Sequence, residues 1–207
     1  MENSKKWLHL IRQVEAISQT GLTYGEGGFD LERYEQLREL SMQMYHLLSN
    51  YPPEKIPDLF PVIPGYHTPK IDIRAVVMKE GKVLMVKEKA DQKWALPGGW
   101  ADVGYSPTEV AEKEVGEEAG IQVKANRLLG LVDKKCHDHP PFAYYTYKCF
   151  IACEYVMGNI ETGPETLDVN FFPVDQLPEL STERNTEAQI LSMVERYVDP
   201  SLPVWLD

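Results

Sequence analysis

The sequence predicts an α+β protein, because apolar residues at helical spacing occupy both ends of the chain and strand patterns fill its middle. One more helix lies among these strands, and its two ends are defined. Ser106 and Glu109 form a capping box, Pro107 occupies the first helical position, and Gly120 can supply a left-handed stop. Mixed strands with a few helices therefore favour the α+β class over an all-helical or all-strand fold.

Two helical patterns precede the strands. Apolar residues recur at helical spacing over residues 7–17, and we expect Gly21 to end this helix. Asp30 can cap a second helix, whose apolar stripe covers residues 31–48. Two helices cannot bury both stripes alone, so they must pack on the larger domain or on another subunit. We prefer the subunit contact and predict a homodimer through these helices. A DNA-reading helix pair is the alternative, but residues 1–66 contain 6 Lys or Arg and 9 Asp or Glu, without a basic face.

Six prolines fall between residues 50 and 69, a density that prevents regular structure and predicts a stiff linker. The linker divides the chain into a small N-terminal domain over residues 1–66 and a larger domain over residues 67–207. We found no internal repeats and no low-complexity segments in either part.

The larger domain begins with a predicted hairpin. Residues 71–78 and 82–87 are apolar strand patterns joined around Gly81. Further strand patterns cover residues 94–96, 127–133, 144–154 and 169–173, and a closing helix is predicted over residues 183–197.

Composition narrows the class of partner. No apolar run approaches the roughly 20 residues that a membrane helix needs, so we predict a cytoplasmic protein without a membrane span. The three cysteines argue against a disulfide framework and agree with a reducing compartment. A net charge of −11 makes nucleic acid an unlikely partner, and it requires a metal ion or a local basic pocket for any anionic substrate.

Three glutamates on the central helix form a candidate metal site. Glu114, Glu117 and Glu118 stand at i, i+3 and i+4, which places their side chains on one face, behind the turn formed by residues 96–99. Hard oxygen ligands grouped in this way suit Mg²⁺ or Mn²⁺. A solvated acidic face is the alternative for any Glu-rich helix.

The 23 residues from Gly99 to Ile121 resemble the Nudix signature. That pattern is Gly, five residues, Glu, seven residues, and then Arg-Glu-hydrophobic-any-Glu-Glu-any-Gly-hydrophobic. Two positions depart from it, since Tyr105 replaces the first Glu and Lys113 replaces the Arg. These two side chains form a salt bridge in the family, so both partners are lost together. The matching residues are Gly99, Glu114, Val115, Glu117, Glu118, Gly120 and Ile121.

The N-terminal region also resembles a known domain. Residues 19–24 (QTGLTY) and 30–34 (DLERY) are similar to the short helical domain that precedes some bacillus-type Nudix hydrolases. The resemblance then spans nearly the whole chain. It implies an α/β/α Nudix sandwich with a mixed sheet over residues 67–207, preceded by a small helical domain.

The resemblance implies metal-dependent hydrolysis of a pyrophosphate in a nucleoside diphosphate. In this interpretation Glu114, Glu117, Glu118 and the Gly98 carbonyl hold Mg²⁺ or Mn²⁺. Glu165, in the loop before a late strand, or one of the helix glutamates Glu117 and Glu118 acts as the general base. A non-catalytic, Nudix-like nucleotide sensor is the alternative, which the two departures from the signature keep open.

A loop after the fourth strand pattern is a candidate substrate site. Lys134, His137 and His139 are among the few local cations, and Tyr145 follows them. Cys136, His137 and His139 could instead bind zinc, but a structural zinc site needs four ligands and no matching pair appears elsewhere. Plain solvent exposure of these residues is the other alternative.

The resemblance to Nudix hydrolases with this N-terminal domain points to two substrates, CDP-choline and ADP-ribose. Alternation along a strand would place Tyr145 and Tyr147 on one face and Tyr144 on the other. One or two of these rings near the loop could face the quaternary ammonium group of choline. We therefore expect CDP-choline, hydrolysed to CMP and phosphocholine. ADP-ribose is the alternative, because the loop histidines could bind ribose hydroxyls.

Overall fold

The computed structural model describes residues 2–49, 53–56 and 65–207. Most of the predicted proline-rich linker lies outside these ranges, and Pro53–Lys55 forms a single 3₁₀ turn. The chain folds into two compact units: Met1–Pro69 with Pro141–Tyr145, and Lys70–Pro140 with Thr146–Asp207. We call them the N-terminal unit and the sheet unit. No sequence pattern indicated that Pro141–Tyr145 belongs to the N-terminal unit. The division into residues 1–66 and 67–207 stays a prediction.

The N-terminal unit contains helix α1, Glu2–Tyr24. The prediction that Gly21 ends this helix is wrong, because the helix continues for three more residues. A Cβ atom at Gly21 would lie 2.4 Å from ring carbons of Tyr34. The glycine therefore allows close packing against that ring and does not terminate the helix. The core of the unit consists of Leu8, Ile11, Tyr45, Ile56 and Ala143.

Helix α2 spans Gly28–Leu48. Its N-cap is Gly27, which makes no side-chain capping hydrogen bond, so the prediction that Asp30 caps the helix is wrong. Asp30 lies in the first turn, where its negative charge is favourable near the helix N-terminus.

The sheet unit is built on a seven-stranded mixed sheet. Its order is β3-β2-β1-β5-β4-β7, and β6 pairs with β2 beside this path. Strand β1 runs parallel to β5, and β7 runs parallel to β4, whereas the other pairs are antiparallel. The strands are β1 Lys70–Lys79, β2 Lys82–Glu88, β3 Trp94–Ala95, β4 Gln122–Asp133, β5 Thr146–Met157, β6 Thr166–Pro173 and β7 Trp205–Leu206.

The predicted hairpin between β1 and β2 is confirmed. Met78 pairs with Val83, and the two residues at the tip, Glu80 and Gly81, have φ values of 52° and 75°. A two-residue hairpin turn of type I′ requires such positive values, which explains the glycine.

A helix covers each face of the sheet. Successive residues of β1 belong to different cores: Ile73 and Ala75 to the one that includes α3 (Pro107–Ala119), and Val76 to the one that includes α4 (Glu187–Val198). Since successive side chains of a strand point to opposite faces, the two helices lie on opposite sides. The predicted α/β/α sandwich is confirmed.

The ends of both helices follow their capping residues. The box predicted for α3, with Ser106 and Glu109, is present, and Gly120 is left-handed with φ 72°. Helix α4 begins later than predicted, because Thr186 and Gln189 form a second capping box at its start.

No helix in the described ranges is both long and apolar enough to cross a membrane. Cys149 and Cys153 are buried free thiols, and Cys136 is exposed and also free. The cytoplasmic location stays a prediction.

Candidate active site

The glycine-rich turn, residues 96–99, is bound along the edge of β1. The Ile73 N–H donates to the Gly99 carbonyl at 2.8 Å, and the Ala75 N–H donates to the Pro97 carbonyl at 2.9 Å. A Cβ atom at Gly98 would lie 2.0 Å from the Ile73 carbonyl oxygen, and φ of Gly98 is +145°. Only glycine allows the turn to approach the strand so closely.

Glu118 joins this turn to helix α3. Its Oε2 accepts a hydrogen bond from the Gly98 N–H at 2.8 Å, and the residue is only 6% exposed. Burial raises the pKa of this carboxyl to about 8, although the Arg74 charge and the Gly98 bond oppose the rise. The negative charges of Glu88 and Glu114 raise it further. A buried carboxylate among other acids is a group that a cation would stabilise.

The other two helix glutamates differ from each other. Glu114 is largely buried, and burial raises its pKa. A Cβ atom at Gly99 would lie 3.0 Å from its Oε1, so this carboxylate faces the turn. Glu117 has a side chain that is 57% exposed, and it accepts a hydrogen bond from Lys113 at 3.0 Å. The structure thus places Glu114 and Glu118 against the turn and Glu117 on the outer side of the helix.

Lys113 also makes a contact that the sequence did not predict. Its Nζ lies 3.6 Å from Asp102, in the loop that joins the turn to α3. Tyr105, in the same loop, is exposed. An Asp–Lys pair therefore joins the loop to the helix in this chain, although both residues of the family salt bridge are replaced.

Below the turn lies a buried ion network. Arg74 binds Asp72 at 2.9 Å and donates from Nη1 to the Leu96 carbonyl at 3.1 Å, and Lys148 also binds Asp72. Burial raises the pKa of Asp72, but the Arg74 and Lys148 charges outweigh it and the net shift is downward. Burial lowers the pKa of Lys148 to about 8. Each buried charge has a partner of opposite sign, as burial in a sheet requires.

Glu88, at the end of β2, is a buried acid that sequence reasoning missed. Arg184 Nε lies 2.9 Å from its Oε1. Burial raises the pKa of Glu88, and the charges of Asp91 and Glu165 raise it further, against the charges of Arg184 and Arg74. Glu165 is an exposed loop acid, and its carbonyl accepts a hydrogen bond at 3.1 Å from the N–H of Lys89, the residue after Glu88. The available signal was a charged residue inside an apolar strand pattern for Asp72 and Lys148, and directly after such a pattern for Glu88.

We tested whether these residues fit a divalent cation. In the described part of the chain, no three His, Cys, Asp or Glu side chains are grouped closely enough to hold a metal ion as they stand. The donor chemistry nevertheless fits. Glu114 and Glu118 are buried acids whose pKa values are raised, and the Gly98 carbonyl accepts no hydrogen bond from any described residue. Glu117 as a ligand stays a prediction.

The predicted substrate loop is less open than expected. His137 Nε2 lies 3.1 Å from Asp207, and its ring packs edge-on against Trp205. His139 is buried, its Nδ1 donates to the Thr182 carbonyl at 2.6 Å, and burial lowers its pKa to about 4. His139 is therefore uncharged near neutral pH and cannot serve there as a cation.

Lys134 lies in a 3₁₀ turn, Lys134–Cys136, and is partly buried. Tyr145 lies outside β5 and belongs to the N-terminal unit, where its ring centroid is 6.4 Å from that of His9. The predicted alternation of Tyr144, Tyr145 and Tyr147 is wrong, because β5 begins at Thr146. The roles of Lys134, His137, His139 and Tyr145 in substrate binding stay predictions.

Comparison with known families agrees with this geometry. Residues 68–194, more than half of the chain, match the model of the NUDIX domain. The chain belongs to the Nudix family. Residues 5–60 match a model described as UDP-X-like, N-terminal oligomerisation domain. The resemblance noted in both parts of the sequence is thus confirmed.

Relatives of this Nudix protein are named as pyrophosphatases. The putative ADP-ribose pyrophosphatase YjhB of Bacillus subtilis is 45% identical over 185 residues, 89% of each chain. An ADP-ribose pyrophosphatase of Methanocaldococcus jannaschii is 28% identical over 119 residues, 56% of this chain and 69% of the relative.

Two solved structures extend the comparison. The crystal structure of a UDP-X diphosphatase is 33% identical, covers 99% of both chains and superposes with a TM-score of 0.64. An ADP-ribose pyrophosphatase of Streptococcus suis is 37% identical, covers 68% of this chain and 100% of that one, and has a TM-score of 0.62. The prediction that this Nudix protein is a pyrophosphohydrolase is confirmed, and enzymes of the family generally use a divalent metal ion.

Proposed function

We propose that this Nudix enzyme hydrolyses the pyrophosphate bond of a nucleoside diphosphate linked to a small group, with Mg²⁺ or Mn²⁺ as cofactor. The observation that carries the proposal is the buried Glu118 carboxylate, which the Gly98 N–H binds and which Glu88 and Glu114 surround with negative charge. A protein stabilises such a group by protonation or by a cation, and a diphosphate substrate brings further negative charge to the same place.

Five residues have roles in the proposed reaction, four as ligands of the cation and one as the acceptor of a proton. Glu114, Glu118 and the Gly98 carbonyl hold the cation, with Glu117 as a ligand on the outer side. The cation, when bound, neutralises the diphosphate and lowers the pKa of a water molecule. Glu165 is the first candidate to accept the proton of the attacking water, because it is an exposed loop acid whose carbonyl is hydrogen-bonded to Lys89, next to the buried Glu88.

ADP-ribose is the first substrate to test, since it is named for two sequence relatives and for one of the solved structures. Its products would be AMP and ribose 5-phosphate. CDP-choline is the second candidate. Within the sheet unit, Tyr147 pairs with Asp133 at the start of the predicted substrate loop and is 37% exposed, and an aromatic ring of this kind is suited to a quaternary ammonium group.

The deciding experiment measures kcat/KM for ADP-ribose, CDP-choline and a UDP-sugar. The three substrates are compared under the same conditions, first with Mg²⁺, then with Mn²⁺, and then after the metal is removed by a chelator. This ratio measures differential stabilisation of the transition state. We expect turnover only with metal and a preference for ADP-ribose. A preference for CDP-choline would change the substrate and leave the hydrolase proposal intact. Metal-independent turnover, or none on any nucleoside diphosphate, would refute the proposal.

We also propose that the enzyme is a homodimer through the N-terminal helices. Large apolar side chains of both helices are exposed at spacings of three and seven residues, and Leu47 is 85% exposed. An exposed apolar stripe on a helix is typical of a protein interface, and the matching family model describes an oligomerisation domain. The exposed side chains are Trp7, Leu10 and Ile17 of α1 and Leu37, Leu40 and Leu47 of α2.

Light scattering at micromolar concentration tests the dimer. One chain has a mass of 23.7 kDa, and we expect about twice that value for the intact protein. The double variant Leu40→Asp/Leu47→Asp should shift the mass to that of one chain. Val198→Asp, an exposed apolar position of the sheet unit, is the matched control and should leave the mass unchanged. A monomeric wild type would refute the dimer.

A further inference from the structure

The segment that precedes α4, residues 181–186, contacts several parts of the candidate site. The Ser181 N–H donates to the Trp94 carbonyl at 2.8 Å, and the Ser181 hydroxyl donates to Asp91 at 2.7 Å. Arg184 binds Glu88, as described above, and also lies 3.6 Å from Asp91. This segment is therefore attached both to β3 and to the end of β2.

Asn185 extends the same segment to the glycine-rich turn. Its Oδ1 accepts a hydrogen bond from the Leu96 N–H at 3.0 Å, across 89 residues of sequence. Asn185 is fully buried, and its Nδ2 has no hydrogen-bond partner among the described residues. The carboxamide oxygen is thus the polar atom through which Asn185 acts on its surroundings.

Leu96 is bound by side chains at both of its polar backbone atoms. Asn185 accepts from its N–H, and Arg74 donates to its carbonyl oxygen at 3.1 Å. Immediately after Leu96, backbone bonds to β1 hold Pro97 and Gly99, and Gly98 donates to Glu118. The path of the turn therefore depends at its first residue on two side chains from distant parts of the chain.

We propose that Asn185 is a positioning residue of the Nudix site. By fixing the Leu96 peptide, it sets where the Gly98 N–H meets Glu118 and where the Gly98 carbonyl points. A buried N–H that loses its acceptor shifts to find another, and the turn shifts with it. Asn185 acts through Leu96, and among the described residues its side chain makes no hydrogen bond to those proposed to hold the cation. The inference rests on the proposed function for its effect on turnover, but not for its effect on the turn.

Three variants test the inference. Asn185→Ala removes the acceptor, whereas Asn185→Asp keeps an oxygen at Oδ1 and replaces the amide nitrogen, which has no partner among the described residues, by a second oxygen. Full burial raises the pKa of a carboxyl, so the variants are compared at mildly acidic pH, where the new carboxyl is neutral. Thr186→Ala is the matched control, because it weakens the capping box of α4 one residue further along without contacting Leu96. All three should be compared at a fixed interval below their own melting temperatures, so that differences in global stability do not decide the result.

Two readouts are measured on each variant: hydrogen–deuterium exchange of the peptide 95–101 in substrate-free protein, and kcat with KM for the best substrate. We expect Asn185→Ala to exchange faster in that peptide and to lose about tenfold in kcat with little change in KM, the size typical of residues that orient metal-site ligands. Asn185→Asp should restore most of the wild-type exchange rate and of the wild-type kcat. Thr186→Ala should match the wild type in both readouts.

Wild-type exchange and kcat in Asn185→Ala would overturn the inference, and so would equal changes in Thr186→Ala, since these indicate a general structural role. Absence of hydrolysis by the wild-type enzyme would refute the proposed function instead. In that case the exchange of peptide 95–101 still decides whether Asn185 positions the turn.

Discussion

Glu117 and Glu118 are adjacent in the sequence, yet α3 places them in opposite environments. Glu118 is buried against the glycine-rich turn and bound by the Gly98 N–H, whereas Glu117 is mostly exposed and bound by Lys113. The inner carboxylate has a pKa raised by burial to about 8. The carboxylates of an acidic helix motif therefore do not share one environment. The turn that packs against the helix determines which of them are desolvated.

Desolvation also decides how much each contact contributes. A buried carboxylate that loses its partners costs several kcal/mol, whereas an exposed ion pair contributes about 0–1 kcal/mol. The inner side of α3 should therefore dominate turnover, and the turn behind it should affect stability more than the exposed ion pairs do. The predictions below test this comparison, from the largest expected effect to the smallest.

Replacing the two neighbouring glutamates gives the strongest contrast. We expect Glu118→Gln to lose on the order of 100-fold or more in kcat/KM, and Glu117→Gln about tenfold or less, because the buried carboxylate is the better placed ligand. Kinetics at saturating Mg²⁺ on the best substrate measure both. Neither variant should lose stability in the metal-free state, since the neutral amide keeps the shape of the side chain. Equal losses in the two variants would remove the distinction between inner and outer carboxylates.

Two glycines of the signature region offer a second contrast. In Gly98→Ala the new Cβ would meet the backbone of β1 at 2.0 Å, so we expect a loss of about 3 kcal/mol in the free energy of unfolding. Gly116→Ala is the control, because its Cβ would meet no atom closer than 4.0 Å and alanine favours the helix by about 1 kcal/mol. Urea unfolding measures both. A stable Gly98→Ala variant would show that the turn tolerates displacement.

The local features of the fold were predictable because their signals are local. The capping box at Ser106, the left-handed Gly120 and the hairpin at Gly81 each depend on residues within a few positions, and all are present. The family signature located Glu114 and Glu118 in the same way. Gly21 shows the limit, since its role in packing against Tyr34 depends on a residue of another helix.

The remainder of the site depends on contacts between distant parts of the chain. Glu88 is held by Arg184 across 96 residues, and Leu96 by Asn185 across 89. No periodicity or spacing relates such positions. His139 was predicted as a substrate ligand from its loop, and its burial follows from a bond to Thr182 that the sequence did not reveal. Charged residues in apolar strands were the one available signal for the ion network.

His139 extends the comparison to a buried group without charge. Burial lowers its pKa from 6.5 to about 4. Between these values the unfolded chain binds the proton and the folded chain does not, so stability is full above pH 6.5 and is lost as the pH falls toward 4. Between pH 7.5 and pH 5, we expect the free energy of unfolding to fall by about 2 kcal/mol less in His139→Gln than in the wild type. Urea unfolding at pH 5 and pH 7.5 measures it, and an unchanged pH dependence in the variant would contradict the burial of this ring.

The smallest effect should come from the outer side of α3. Lys113 lies 3.6 Å from Asp102, and both side chains are at least partly exposed, so their ion pair should contribute less than about 1 kcal/mol to stability. A double-mutant cycle with Lys113→Met and Asp102→Asn measures the coupling, and Lys113→Met/Glu117→Gln is the matched cycle for the pair within the helix. We expect both couplings to shrink with added salt, because exposed charges are screened. A salt-insensitive coupling above 2 kcal/mol would mean that the Asp102 pair is effectively buried. The outer side of α3 would then hold the loop as firmly as Gly98 holds the inner side.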